Sequence, residues 1–120
     1  MRNPAKTVIT VSLLPAEWGE SDLQACFEKL LEAARSIPAL AIKSEEDFIV
    51  LFPKDAMEKG LGTEIVVKVD VPAPYAPDWE TENKIAYTFF FFMQDLFPTA
   101  HVQCMVKPFE MSHGFWATGL

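Results

Sequence analysis

The sequence holds little cysteine, little histidine and no long apolar run, and each shortage closes off a class of protein. Cys26 and Cys104 are the two cysteines among 120 residues. No Cys-x-x-Cys pair exists, and His101 with Cys104 supplies only half of a zinc set, so no metal is expected. In a reduced compartment both thiols behave as small buried hydrophobes rather than a disulfide. The longest apolar run, Ile85 to Met93 with one threonine inside it, falls far short of the ~20 residues a membrane helix needs. The start, Met1-Arg2-Asn3-Pro4-Ala5-Lys6, leads into a β-like stretch instead of the apolar core of a signal peptide. These features predict a cytoplasmic protein with no membrane partner. Cations are scarce as well: 10 Lys and Arg stand against 17 Asp and Glu, a formal charge of -7. That balance argues against a nucleic-acid partner.

What remains is the composition of one globular domain, 50% hydrophobic and 22% charged. Thr7 to Leu14 is rich in β-branched residues and bounded by Pro15, which predicts a first strand. Ser21-x-x-Gln24 is a capping-box pattern, and Leu23, Phe27, Leu30, Leu31 and Ala34 follow at helical spacing. Pro38 ends that helix. Phe48 to Phe52 is a strand apolar on both faces, the pattern of a central strand. A connector from Asp55 to Gly62 leads to a third strand, Glu64 to Val71. A loop punctuated by Pro72, Pro74 and Pro77 precedes a second helix from about Thr81 to Leu96. The run Phe89 to Phe92 could also be a strand, but the stripe Ile85, Phe89, Phe92, Met93 and Leu96 favours the helix. His101 to Lys107 is the fourth strand, and a tail with Phe115 and Trp116 closes the chain.

The order is therefore β-α-β twice, in one domain over residues 1–120, with repeats at about 6–54 and 63–109 and a tail at 110–120. The exits Pro53-Lys-Asp-Ala-Met and Pro108-Phe-Glu-Met, each followed by a glycine (Gly60 and Gly114), match loosely. A helix between two strands is the usual connection of parallel neighbours. Alternation places Ile9, Val11, Leu13, Ile65, Val67, Val69, Val102, Cys104 and Val106 on the helix side of the sheet. The other side carries Thr10, Ser12, Lys68, Asp70, His101, Gln103 and Lys107, which must meet water or line a wet cavity between subunits. A ferredoxin-like module has the same element order and remains an alternative at this point.

Several features together resemble the tautomerase superfamily, within it the branch of macrophage migration inhibitory factor. They are Lys43 opening the second strand, Phe48-Ile-Val-Leu-Phe-Pro, Asn83-Lys84 opening the second helix, Pro98-Thr-Ala-His, and the ending Gly114-Phe115-Trp116. The resemblance implies an α+β fold in which two β-α-β units form a four-stranded mixed sheet with both helices on one face. It also implies a homotrimer around a central channel, and no cofactor. The family's chemistry, keto-enol isomerisation, uses an amino-terminal proline amine as general base. Here Pro4 is internal, and a peptide-bonded proline nitrogen has no basic lone pair. Aligning Pro15 with the family's strand-ending proline puts the catalytic position near Lys6.

The resemblance implies further site residues. Lys43 corresponds to a lysine that binds acidic substrates, Gln103 falls about where an active-site tyrosine is found, and Met105 about where an asparagine is found. Phe115 and Trp116 are candidates for the wall of a ligand pocket. Each has a plain alternative: a solvated lysine beside Glu45 and Glu46, an exposed terminal lysine at Lys6, and aromatics that pack on the domain or on a neighbouring chain. His101 has a titratable reading beside Asp70 or Lys68. Three functions follow: an oligomer of this fold without proline-dependent catalysis, an active isomerase of a small carboxylic acid, or a ferredoxin-like module binding a small ligand or a protein.

Overall fold

The computed structural model describes residues 5–54, 62–112 and 114–117. Pro4 and the Asp55 to Gly60 part of the connector lie outside the described residues. Four strands form one sheet: β1 (Thr7–Ser12), β2 (Phe48–Leu51), β3 (Glu64–Pro72) and β4 (His101–Phe109), in the order β2-β1-β3-β4. β1 runs parallel to β2, β3 runs parallel to β4, and the halves join where β1 and β3 pair antiparallel. Each unit thus closes as a parallel β-α-β crossover, and the sheet is mixed. A ferredoxin-like arrangement, which pairs the second and third strands differently, is excluded by this order.

β2 is an edge strand, not the central one its two apolar faces suggest. Phe48 is buried on the helix side, but Ile49 and Leu51 point the other way and are 42% and 48% exposed. A strand apolar on both faces needs cover on both, and on this second face the described chain leaves Ile49 and Leu51 largely open.

Helix α1 (Glu20–Arg35) begins one residue before the Ser21 pattern, because Gly19 is its N-cap. The Asp22 carboxylate accepts the Gly19 N–H at 3.0 Å. Glu20 and Asp22 in the first turn and Arg35 in the last oppose the helix dipole favourably. Helix α2 (Trp79–Leu96) likewise starts earlier than the apolar stripe suggests, since Asp78 accepts the Thr81 N–H at 2.8 Å. The Thr81 N–H, then the Thr81 hydroxyl, hold the Asp78 carboxyl below its usual pKa. The phenylalanine run is helical. At its far end the Gln94 side-chain amide donates to the carbonyls of Phe97 and Ala100, at 2.8 and 3.1 Å, which fixes the turn into β4.

Both helices cover one face of the sheet. Ile9, Val11, Ile65, Val67, Val69, Leu30, Ile85, Phe89 and Met93 are fully or almost fully buried between the layers. Trp18 stacks on Phe97 at 5.3 Å and Phe27 on Phe48 at 5.7 Å, tying α1 to its neighbours. Leu13 does not extend the buried face of β1. The strand ends at Ser12, and Leu13 turns out with a φ of 66°. No helix among the described residues is long and apolar enough to cross a membrane.

Candidate active site on the open face of the sheet

The face away from the helices is assembled by register. Val8 of β1 pairs with Ile49 of β2 and with Asp70 of β3, and Asp70 pairs with Lys107 of β4. Ile49, Val8, Asp70 and Lys107 therefore form one row across all four strands. Two residues along each strand keep the same side, so Lys6 precedes Val8 on this face and Phe109 follows Lys107. Beyond β4 the chain folds back, and Phe115 stacks on Phe109 at 5.5 Å. Gly114 makes that return possible, with a φ of 72° that side chains disfavour.

These residues enclose an open groove of about 630 Å³ lined by Lys6, Val8, Ile49, Asp70, Phe109 and Phe115, with Gly114 and Ala117 at its margin. The volume suits a small organic ligand. Its walls are aliphatic and aromatic, and among the described residues its charged side chains are those of Lys6 and Asp70. Lys68 Nζ lies 3.8 Å from Asp70 Oδ1 along β3, and Lys107 faces Asp70 from β4. Three lysines, Lys6, Lys68 and Lys107, thus share this face of an acidic chain with Asp70.

Outside the groove's lining, Asp47 sits just before the Phe48 that pairs with Thr7. Its carboxylate accepts the N–H groups of Lys43 and Ser44 at 2.9 and 3.1 Å. Those bonds, then the charges of Lys6 and Lys43, hold its carboxyl below the usual range. The charges of Lys43 and Lys6 thus both act on one carboxylate.

Of the site residues read from the sequence, Lys6 and Phe115 line the groove. Lys43 stands outside its lining, beside Asp47. Gln103 pairs with Val66, four residues up the strand from Lys107 or roughly 13 Å away, and Trp116 is 98% exposed. His101 pairs with Glu64, at the far end of β3 from Asp70, and so does not sit beside Asp70 or Lys68. Asp70, Val8, Ile49 and Phe109 were not singled out as site residues from the sequence. Alternation assigns some of them a face, but only register brings them into one row.

Neither thiol serves as a nucleophile here. Burial pushes Cys26 and Cys104 up to about 12, so both stay protonated at neutral pH. Among the described residues no group of three or more His, Cys, Asp or Glu side chains gathers to hold a metal. A second hollow of about 410 Å³ lies at the other end of β1, between Leu13, Trp18, Leu23, Phe52 and Lys54. Among the described residues its charged lining is Lys54 alone.

No family model matches the sequence, and no curated protein matches it. The architecture, however, has close parallels among solved structures. A fused 4-OT asymmetric trimer superimposes with a TM-score of 0.69 at 14% identity, over 93% of this chain and 92% of that one. The chain has the tautomerase fold. Malonate semialdehyde decarboxylase is similar with a TM-score of 0.55 at 12% identity, over 94% and 92% of the two chains. A 5-carboxymethyl-2-hydroxymuconate delta-isomerase is similar with a TM-score of 0.50 at 11% identity, over 97% and 89%.

Proposed function

We propose that this tautomerase-fold chain binds a small organic acid in the open-face groove and does so without proline-dependent catalysis. The observation that carries the reading is the row Ile49–Val8–Asp70–Lys107 with Lys6 and Phe115 at its end. Lys6, Lys68 and Lys107 outnumber Asp70, so a carboxylate meets a locally positive surface in a chain that is negative as a whole. The aromatic pair Phe109 and Phe115 offers a flat apolar wall to the rest of such a ligand. Lys43, outside the lining and beside Asp47, adds a further cation. Within the superfamily, Lys43, which lies five residues ahead of β2 and not at its first residue, and the ending Gly114-Phe115-Trp116 favour the migration-inhibitory-factor branch.

The bare sheet face also supports assembly. Ile49 and Leu51, exposed on a strand with a free edge, are suited to burial against further copies, and trimers occur among the structural neighbours. Three copies would enclose the open faces and turn each groove inward. The scarcity of cysteine supports a cytoplasmic setting.

Titration of the full chain with phenylpyruvate, followed by amide chemical shifts, tests the binding. Residues around Val8, Ile49 and Phe109 are expected to shift, and Lys6→Ala to weaken the effect. Shifts confined to the hollow near Trp18, or none at all, would overturn the assignment.

Lys6 supports a second reading, an active keto-enol isomerase. Its Nζ, in the free amine form, would take the enol O–H proton and return it to carbon, a net isomerisation that needs no cofactor. Turnover of enol phenylpyruvate that disappears in Lys6→Ala supports it. A rate equal to buffer alone removes it for this substrate class.

A further inference from the structure

Helix α2 turns Ile85, Phe89 and Met93 towards the sheet. Its opposite side leaves large rings in water: Tyr87 is 65% exposed and Phe91 is 58% exposed. The two rings are one helical turn apart and stack on each other at 6.2 Å. An exposed aromatic pair on the outside of a charged protein is costly to solubility and marks a contact surface.

The charges that flank this pair say what fits it. Lys84 lies one turn before Tyr87, and Asp95 one turn after Phe91. Asp95 Oδ2 holds Lys29 at 3.0 Å, yet the Asp95 side chain remains 66% exposed. Lys84 and Asp95 are eleven positions apart, so they point within ~20° of each other, separated by roughly 16 Å of helix. From Lys84 to Asp95 the stripe therefore reads cation, ring, ring, anion, with the exposed Glu80 one turn before Lys84. Lys84, Tyr87 and Phe91 also follow the alternating three- and four-residue step of a helix-packing seam.

We propose that this face of α2 is a homotypic docking surface, on which a second copy of the chain seats its own α2 antiparallel about a two-fold axis. In that orientation each Lys84 meets the second copy's Asp95 while the ring pairs pack together, a self-complementary contact. A parallel arrangement would set lysine against lysine and aspartate against aspartate. The surface lies on the side of the molecule opposite the open sheet face, so it is independent of any assembly through the sheet.

Sedimentation velocity of the full chain at low salt tests it. The Tyr87→Ser/Phe91→Ser chain, with its fold checked by circular dichroism, is expected to show at most half the particle mass of wild type. Lys84→Glu alone and Asp95→Lys alone are each expected to lose the association. Mixing those two variants is expected to restore it, because a mixed pair again opposes unlike charges at both ends. An Ile49→Glu chain, altered on the other face, still pairs. Equal masses for wild type and Tyr87→Ser/Phe91→Ser, or single reversals that keep the wild-type mass, or a mixture no heavier than its components, would overturn the proposal.

Discussion

Asp70 stands directly opposite Lys107 across the parallel β3–β4 ladder, on the face that no helix covers. Lys68 reaches the same carboxylate from two residues away on its own strand, at 3.8 Å. The aspartate thus tempers a cluster of three lysines at the groove instead of opposing a single one. Its removal should expose their charge.

Asp70→Asn is therefore expected to tighten the binding of a small carboxylate, by about two- to fivefold, the range that partly exposed charge pairs produce. Lys107→Ala is expected to change affinity the other way. Isothermal titration with phenylpyruvate at low and high salt measures both, and the gain should shrink as salt screens the field. Weaker binding by Asp70→Asn would show that the carboxylate itself contacts the ligand.

Asp47 gives the fold an acid-sensitive element. Its carboxylate is held below its usual pKa by the Lys43 and Ser44 N–H groups, helped by the Lys43 and Lys6 charges. Because the folded value is the lower one, the stabilisation is present above the unfolded value of about 3.9 and is lost as pH falls through the folded value. Wild type is expected to melt above Asp47→Ala at neutral pH, with the gap closing in strong acid. A gap that is constant with pH would mean that the negative charge is irrelevant to this turn.

The thiols respond at the other end of the scale. Cys26 and Cys104 rise from an ordinary 9.0 to about 12 through burial. Between those values the unfolded chain loses thiol protons that the folded chain keeps, so stability falls as pH rises from about 9 to about 12. At pH near 8 a thiol reagent is expected to label the folded chain far more slowly than the chain in denaturant. Fast labelling of Cys26, the fully buried thiol, in the folded state would contradict its burial, whereas the partly buried Cys104 is expected to be the faster of the two.

Much of the fold could be read from the chain because its signals are local. Alternation in Glu64 to Val71 and the three-four stripe of Ile85, Phe89 and Met93 depend only on neighbours in sequence, and the structure keeps both. Helix starts shifted where a short acidic side chain captured a backbone N–H, as Asp22 does at Gly19 and Asp78 at Thr81. The place of β2 in the sheet was not readable in the same way. An apolar residue such as Ile49 states that it wants cover, not which molecule supplies it. The groove was hidden for a related reason: Lys6, Ile49, Asp70 and Phe109 are distant in sequence, and only the pairing of Val8 with both Ile49 and Asp70 aligns them.

Gly62 offers a sharp check on how the connector returns to the sheet. It holds a φ of 73°, and a Cβ placed there would come within 2.9 Å of Pro15 Cγ. A side chain at this position meets two penalties at once, a left-handed backbone and a rigid proline ring that cannot swing away. Gly62→Ala is expected to destabilise the fold by at least the ~1–2 kcal/mol of a left-handed L-residue. Gly114→Ala shares the positive φ but has open space around its Cβ, so it pays the backbone penalty alone. Urea denaturation of the two variants separates the effects: the larger loss belongs to Gly62→Ala, and Gly62→Ala/Pro15→Ala recovers the difference. Equal losses at the two glycines would mean that Pro15 gives way without cost.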